Sequence, residues 1–368
     1  MNSIPPLDLA RQYRTIALEV EAAVLEVLSS GRYIGGSQVQ AFECQFADYI
    51  GTTECVSCHS GTDALYLALR SLEIGPGDEV ITTALSFFAT AETISMVGAT
   101  PVFVDIDAAT FNCDVDRLEA AITPRTKAIL PVHLFGQPVD MTRLMEVANA
   151  HRLAVVEDCA QAAGAEWNGK KVGSFGRIGC FSFFPTKNLG AFGDGGAITT
   201  DDREIADRIR VLKDHGATRR YYHEFQGTNS RLDALQAAIL QVKLPYLDGW
   251  NARRRDLAAR YRDLLAPIPH IVLPQDSTGG GHVWNQYTIR IESDRDRLYQ
   301  QLQQSGIGCN IYYPFPLHLQ PAYRDLGYAV GQLPIAERAC QQVLSLPMFP
   351  ELDVEEQYQV VRALKDCR

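Results

Sequence analysis

The chain has 368 residues, of which 46% are apolar and 21% are charged, and its 44 acidic and 34 basic side chains give a net charge of −10. This length predicts about two or three domains, and the composition is typical of a globular enzyme. The acidic balance argues against a general nucleic-acid binder, which needs a basic face. The acidic net charge is compatible with a phosphate-bearing small ligand, because backbone amides can bind phosphate inside an acidic protein.

The N-terminus has no basic start followed by an apolar run, and no stretch approaches the ~20 apolar residues that cross a bilayer. The sequence therefore predicts a cytoplasmic protein without a membrane segment. The nine cysteines are scattered along the chain, so reduced and mostly buried thiols are expected.

Short β-rich runs alternate with helical patterns between about residues 50 and 200. This alternation predicts an α/β domain whose central, mostly parallel sheet is flanked by helices. The predicted strands are 55–59, 79–83, 101–105, 128–132, 153–157, 180–184 and 197–200, and the predicted helices are 63–72, 89–96, 115–121 and 140–151. Ligands of such sheets bind at the carboxyl ends of the strands, so polar residues that directly follow a strand are candidates for a site.

A second, smaller α+β domain is predicted toward the C-terminus. The pattern indicates helices at 229–244 and 250–265, a loop at 277–281, a strand at 284–291 and a helix at 295–304. The predicted division is therefore a large cofactor-binding domain at 1–245, with an N-terminal arm at 1–25, and a small domain at 246–368.

The segment from Cys55 to His59 matches the C-x-x-C-H pattern of c-type haem attachment. Haem attachment requires export, for which no signal is seen, and a strand would send alternate side chains to opposite faces. We therefore interpret the segment as a strand and expect no metal site.

Only seven of the 34 basic residues are lysines. Lys187 stands out among them, because aromatic residues precede it and the glycine-rich run 190–196 follows it. An amine among apolar groups loses hydration, which lowers its pKa and favours Schiff-base chemistry with an aldehyde. The others are expected to be solvated surface charges: Lys127, Lys170, Lys171, Lys213, Lys243 and Lys365.

Three further features suit a flat, phosphorylated cofactor. Asp158 follows an apolar run, where a carboxylate can pair with a protonated pyridine nitrogen or cap a helix. Residues 59–63, called the phosphate turn below, contain Gly61 and Thr62 before a helical run; such a turn binds phosphate through exposed amides or is an ordinary cap. Phe87 follows a predicted strand and either stacks on a ring or packs in the core.

In chain order, these features resemble the sugar-nucleotide aminotransferases of the DegT–StrS family, pyridoxal-phosphate enzymes of the aspartate-aminotransferase fold type (fold type I). The resemblance runs along nearly the whole chain. The matching segments are SGTDAL at 60–65, EDCAQ at 157–161, FSFFPTKNLGAFGDGG at 181–196, NSRLD at 229–233, YPFPLH at 313–318 and LSLP at 344–347.

The resemblance implies roles for the residues around the ring of pyridoxal 5′-phosphate (PLP). Lys187 holds the cofactor covalently and later moves the reacting proton. Asp158 pairs with the ring nitrogen, Gln161 bonds the ring hydroxyl oxygen and Phe87 stacks on the ring.

The resemblance also implies that Gly61, Thr62 and Ser182 hold the cofactor phosphate. Asn229 is similar to the family residue that reaches the phosphate of the neighbouring subunit's cofactor, which implies a homodimer with shared active sites. Tyr313 and His318 lie in a segment that either borders the sugar or packs within a loop.

The implied reaction moves an amino group from an amino acid, glutamate in the family, to a nucleotide-linked keto-sugar. Lys187 argues against the family branch that carries histidine there and dehydrates sugars. Residues 220–224 and 229–235 look most like members that aminate carbon 3 of a dTDP-linked 6-deoxy-hexose. The alternatives are a UDP-linked or C4 keto-sugar, an amino-acid aminotransferase with an arginine clamp for the donor, and a non-catalytic PLP-binding regulator.

Overall fold

The structure is a computed structural model that describes residues 3–276 and 280–366. The strands are β1 (Glu54–Cys58), β2 (Glu79–Thr83), β3 (Thr100–Val104), β4 (Thr126–Leu130), β5 (Ala154–Asp158), β6 (Glu166–Trp167), β7 (Lys170–Lys171), β8 (Ile178–Ser182), β9 (Gly196–Thr200), β10 (Ala217–Arg219), β11 (Tyr222–His223), β12 (Ile271–Val272), β13 (Gly280–Gly281), β14 (Tyr287–Ile291) and β15 (Val343–Leu346). The α-helices are α1 (Leu9–Ser30), α2 (Ser37–Ile50), α3 (Gly61–Ser71), α4 (Ala89–Met96), α5 (Leu118–Ala121), α6 (Met141–His151), α7 (Arg203–Leu212), α8 (Ala234–Lys243), α9 (Leu247–Leu265), α10 (Arg295–Gln304), α11 (Pro334–Gln342) and α12 (Val354–Asp366).

A seven-stranded sheet forms the centre of the molecule, in the order β1-β9-β8-β5-β4-β2-β3. Only β9 runs antiparallel to its neighbours; the other four pairings are parallel. Strand β2, Glu-Val-Ile-Thr-Thr, is buried along its whole length, as expected of a β-branched strand with both faces covered. The predicted α/β architecture is confirmed, and each predicted strand of this sheet lies within two residues of the observed one.

Helices cover both faces of this sheet. One apolar core joins it to residues of α3, α4, α7 and α11, and a second joins it to α2 and α8. The carboxyl ends of β1, β2, β5 and β8 meet at one edge, because these strands run in the same direction. The fold therefore gathers the residues that follow these strands at a common edge.

A smaller antiparallel sheet, β12-β14-β15, packs with α9, α10 and α12 around a separate apolar core. The N-terminal segment joins this core: Ile4 is buried in it and exchanges backbone hydrogen bonds with Gly306 and Gly308. Arg11 pairs with both carboxylate oxygens of Glu356 in α12. The start of the predicted N-terminal arm thus contacts the small domain, while the boundary near residue 245 stays a prediction.

Three local predictions differ from the structure. The helix predicted from Asn229 begins only at Ala234, because Asn229 forms a bridge with Asp214 instead. The strand predicted from Trp284 begins at Tyr287, since Trp284 has a left-handed backbone with φ of 48°. In the predicted loop at 277–281, residues 277–279 lie outside the described residues, and Gly280–Gly281 pairs with β6.

Across residues 3–276 and 280–366, no helix combines the length and the apolar character that crossing a bilayer demands.

Candidate active site

Lys187 lies in the tight loop that follows β8. Its backbone N–H donates to the carbonyl of Phe184 at 2.9 Å, and its side chain is partly buried. Within the described part of the chain, its Nζ has no hydrogen-bond partner. Burial lowers the pKa of this amine to about 8, while the nearby charge of Asp158 raises it. A lysine with a lowered pKa and an unused amine is suited to condense with an aldehyde.

Asp158 ends β5, the strand next to β8, and is 4% exposed. Its Oδ2 accepts a hydrogen bond from Thr90 Oγ1 at 2.8 Å, and its Oδ1 accepts one from the backbone of Ala160 at 3.1 Å. Burial raises the pKa of the carboxyl; these two bonds and the charge of Lys187 counter that rise. Lys187 and Asp158 therefore lie close enough for the charge of each to act on the pKa of the other.

The phosphate turn joins β1 to α3. Ser60 caps the helix, because its Oγ accepts from the backbone N–H of Asp63 at 3.1 Å. A Cβ atom at Gly61 would lie 2.6 Å from the Cβ of Ser182, so only glycine allows this approach. The structure thus brings Gly61 and Ser182 together, with the free first amides of the helix beside a hydroxyl. That combination suits a phosphate.

Phe87 and Gln161 both contact Tyr313. Phe87 is 58% exposed, so it does not pack in the core, and its ring centroid is 6.2 Å from that of Tyr313. Gln161 Oε1 accepts from the backbone of Phe135 at 2.6 Å, and its Nε2 donates to Tyr313 Oη at 3.1 Å. A side-chain amide has two N–H groups, so one remains for the oxygen of a bound ring.

Two predicted residues are not brought to this cluster by side-chain contacts. Asn229 is exposed, and its predicted reach into a neighbouring subunit stays a prediction. His318 is 1% exposed, bonds to Glu337 at 3.2 Å and lies beside the rings of Phe103 and Tyr328. A buried imidazole with these neighbours favours the second alternative, packing within the loop, and the sugar contact stays a prediction.

An asparagine network that the sequence patterns did not indicate supports the lysine loop. Asn188, next to Lys187, donates to Asn251 Oδ1 at 2.7 Å and to the carbonyl of Val283 at 2.9 Å, and it accepts from Asn285 at 2.7 Å. Asn251 in turn donates to the carbonyl of Ala163, two residues after Gln161. The network therefore links three distant segments of the chain to the residue next to Lys187.

Lys243 was expected on the surface, and that prediction is wrong: the residue is 1% exposed. Its Nζ donates to the carbonyl of Gly190 in the lysine loop. Its ammonium lies 5.2 Å from the ring centroid of Phe192 and 5.8 Å from that of Trp250. The apolar flanks, Val242 and Leu244, were the only sequence signal of burial.

His133, Glu157 and Cys159 lie close enough together to hold a metal ion. The carboxylate of Glu157, however, already accepts from His133 and from the backbone of Gly173, Phe175 and Gly176. The other ring nitrogen of His133 accepts from the backbone of Val139 at 3.1 Å. Because the ligand atoms of His133 and Glu157 already have protein partners, we interpret the cluster as structural.

The geometry fits PLP feature by feature. The amine of Lys187, which has no hydrogen-bond partner among residues 3–276 and 280–366, suits the aldehyde, and the buried carboxylate of Asp158 suits the ring nitrogen. An exposed phenyl ring at Phe87 suits the ring face. The close approach of Gly61 and Ser182 leaves amides and a hydroxyl for the phosphate.

Comparison with known proteins gives several relatives of nearly full length. A "Pleiotropic regulatory protein" of Geobacillus stearothermophilus is 50% identical over 99% of this chain and 98% of that protein. The dTDP-3-amino-3,4,6-trideoxy-alpha-D-glucose transaminase of Streptomyces venezuelae is 46% identical, over 99% and 96%. The UDP-N-acetyl-3-dehydro-alpha-D-glucosamine 3-aminotransferase of Acidithiobacillus ferrooxidans is 47% identical, over 96% and 95%.

Solved structures agree with the sequence relatives. DesV of S. venezuelae superposes with a TM-score of 0.97 at 46% identity, covering 100% of this chain and 98% of that chain. NtdA of Bacillus subtilis with bound PMP, the aminated form of PLP, superposes with a TM-score of 0.92 at 36% identity, covering 100% and 85%. The cofactor is therefore PLP. The pattern of the DegT/DnrJ/EryC1/StrS aminotransferase family matches residues 14–365, and the chain belongs to this family.

Proposed function

We propose that this chain transfers the amino group of glutamate to carbon 3 of a dTDP-linked 3-keto-6-deoxy-hexose. The observation that carries the proposal is the amine of Lys187, which has no partner in the described chain and interacts electrostatically with the buried carboxylate of Asp158. An amino donor and a nucleotide-linked keto-sugar are the partners that this family membership supports.

Each side chain or amide has a separate role in binding the cofactor. When bound, PLP supplies an electron-withdrawing ring that takes up the electron pair of a broken bond at the substrate carbon. The carboxylate of Asp158, held by Thr90 and Ala160, keeps a proton on the ring nitrogen. The amides of Gly61 and Thr62 bind the phosphate, and the remaining N–H of Gln161 orients the ring oxygen.

Lys187 is the proton carrier in this proposal. Near neutral pH, a lysine with a pKa of about 8 has a neutral fraction on the order of one tenth, against below about one thousandth for an ordinary lysine. A neutral amine can take a proton from one carbon and return it to another. Positioned acid–base transfer of this kind contributes ~100- to 10,000-fold in rate.

The sugar assignment rests on sequence similarity rather than on the site geometry. Relatives that act on dTDP-linked and UDP-linked sugars are 46% and 47% identical to this chain, so overall identity does not choose the nucleotide. Segments 220–224 and 229–235 favour the dTDP-linked, carbon-3 substrate. A UDP-linked or C4 keto-sugar is the alternative within the same reaction class.

The proposal includes a homodimer in which Asn229 reaches the partner's phosphate site; the exposed position of Asn229 is consistent with such a contact. A purely regulatory role is the alternative from a different class, and one relative carries a regulatory name. Lys187, Asp158 and their supporting bonds favour catalysis, because a regulator that only binds the cofactor has no need of a proton carrier.

Single-turnover absorbance tests the proposal. Glutamate should bleach the visible band of the lysine-bound cofactor, and the separated, aminated enzyme is then mixed with a panel of keto-sugar nucleotides. We expect a dTDP-linked 3-keto-6-deoxy-hexose to restore the band fastest. Recovery with keto-acids alone would exclude the sugar substrate, and the absence of bleaching by any amino acid would favour the regulator.

A further inference from the structure

Ser230 is a fully buried serine behind the phosphate turn, with 0% of its surface exposed. Its Oγ donates to Asp63 Oδ2 at 2.6 Å and accepts from the backbone N–H of His59 at 3.2 Å. A hydroxyl has one donor, and here that donor bonds a carboxylate oxygen, which makes the hydrogen bond charge-assisted.

The two partners of Ser230 are the first and last residues of the phosphate turn. Gly61 and Thr62, whose amides face no helical carbonyl, lie between them. One hydroxyl therefore joins the strand end to the first turn of α3. Ser60 adds a local bond within the turn, from the backbone of Asp63 at 3.1 Å, but that bond does not connect the turn to the rest of the protein.

Ser230 is itself held by the chain around it. Its backbone N–H donates to the carbonyl of Lys213 at 2.9 Å, and Lys213 Nζ donates to the carbonyl of Ser57 in β1 at 2.6 Å. Glu43 Oε1 accepts from both the backbone and the hydroxyl of Ser57. The serine is thus anchored to the same strand that leads into the turn.

The opposite side of the turn is closed by backbone packing. A Cβ atom at Gly196 would lie 2.3 Å from the carbonyl oxygen of Ser60. One at Gly61 would lie 2.6 Å from Ser182 Cβ. The turn therefore packs closely against the paired ends of β8 and β9 and is also hydrogen-bonded to Ser230, which leaves its amides little freedom.

We propose that Ser230 is a positioning residue for the cofactor phosphate, which fixes the amides of Gly61 and Thr62 without touching the ligand. This inference rests on the proposed function, in which the phosphate turn binds the phosphate of PLP. Pre-aligned amides bind an anion better than mobile ones, because they lose less conformational freedom on binding. Replacing Ser230 should therefore weaken binding of the phosphate group of the ligand and leave binding of its ring unchanged.

The test compares PLP with pyridoxal, the same aldehyde without the phosphate. Full-length protein is stripped of cofactor, and the dissociation constants of both aldehydes are measured by absorbance titration. Ser230→Ala removes a hydrogen bond to a charged group, so we expect PLP to bind ~10- to 100-fold more weakly. We expect the affinity for pyridoxal to change less than about twofold.

Ser71→Ala is the matched control. Ser71 lies at the other end of α3, is 4% exposed, and its hydroxyl donates to the carbonyl of Ala68 at 2.7 Å. Its loss removes a buried hydroxyl from the same helix without reaching the phosphate turn, and both affinities should stay near wild type. Equal weakening of PLP and pyridoxal in Ser230→Ala would overturn the inference, as would an effect no larger than that of the control.

Two further variants separate this inference from the proposed function. Thr62→Ala and Ser182→Ala each remove a side-chain hydroxyl at a position that the family resemblance assigns to the phosphate itself. If neither changes the ratio of PLP to pyridoxal affinity, the phosphate is bound elsewhere and the proposed site fails. If they lower the ratio and Ser230→Ala does not, the site stands and the positioning role is wrong.

Discussion

Two lysines share a lowered pKa and differ in whether the hydrogen-bond donors of their ammonium groups are used. Burial lowers the pKa of both Lys187 and Lys243 to about 8. Lys243 donates to the carbonyl of Gly190, and two aromatic rings lie within 6 Å of its ammonium. Within residues 3–276 and 280–366, Lys187 has no hydrogen-bond partner and senses only the charge of Asp158.

The contrast shows that a perturbed pKa alone does not identify a reactive lysine. Desolvation acts on any buried amine, so it marks structural and chemical lysines alike. What separates them is whether the donors of the ammonium are used. Lys243 also supports the loop that carries the proposed reactive lysine, since Gly190 lies in the same loop as Lys187.

The largest expected effect is the difference in kcat between variants of these two lysines. Lys187→Ala removes the proton carrier, so kcat should fall at least ~1,000-fold. Lys243→Met keeps most of the side-chain volume, and kcat should fall less than about tenfold, because only the anchoring of the loop is weakened. Steady-state transamination rates measure both. Similar losses in the two variants would contradict the division between reactive and structural lysine.

A second prediction concerns the carboxylate opposite Lys187. Asp158→Asn should lower kcat on the order of 100-fold, since a buried, charge-assisted bond to the ring nitrogen is lost. The charge of Asp158 raises the pKa of Lys187, so its removal should move that pKa below about 8.

The pH dependence of amine labelling at Lys187 in cofactor-free protein measures this shift. Asp140→Asn serves as the control, because Asp140 caps the remote helix α6. A rise in the labelling pKa of Asp158→Asn would show that the two groups do not interact as described.

The smallest effect concerns stability and Lys243. Its pKa is about 8 in the folded chain and about 10.4 when unfolded, so between these values the unfolded state binds more protons and unfolding free energy rises with pH. This contribution amounts to about 2 kcal/mol between pH 8 and pH 10. As the pH falls below about 7, the lysine becomes charged in both states and this pH dependence disappears.

Lys243→Met should lack this rise. Urea unfolding of wild type and variant at pH 8 and pH 10 measures the rise in unfolding free energy. Subtracting the rise of the variant from that of the wild type removes the contributions of other titrating groups. Parallel pH dependence in both proteins would mean that Lys243 is hydrated.

The sequence patterns predicted those features that depend on neighbouring residues in the chain. Buried parallel strands, the cluster of aromatic and glycine residues at Lys187 and the polar residues after β1 and β5 each have a local signature. The burial of Lys243 has none, because the helix pattern of α8 does not reveal that α1 and α2 both pack against it. The asparagine network at Asn188 joins residues nearly 100 positions apart, so only the folded chain brings them together.

The burial of His318 could not be predicted from the local sequence pattern either. The motif around it is compatible with a substrate segment or with loop packing, and its burial depends on Phe103, which comes from the distant strand β3. Ser230 likewise carries no local signal, since its partners His59 and Asp63 lie about 170 residues away.

The most direct measurement of the central claim is to reduce the lysine-bound cofactor with borohydride, digest the protein and locate the labelled peptide by mass spectrometry. The account predicts a single pyridoxyl label, on Lys187. A label on Lys243, or on any lysine other than Lys187, would contradict it.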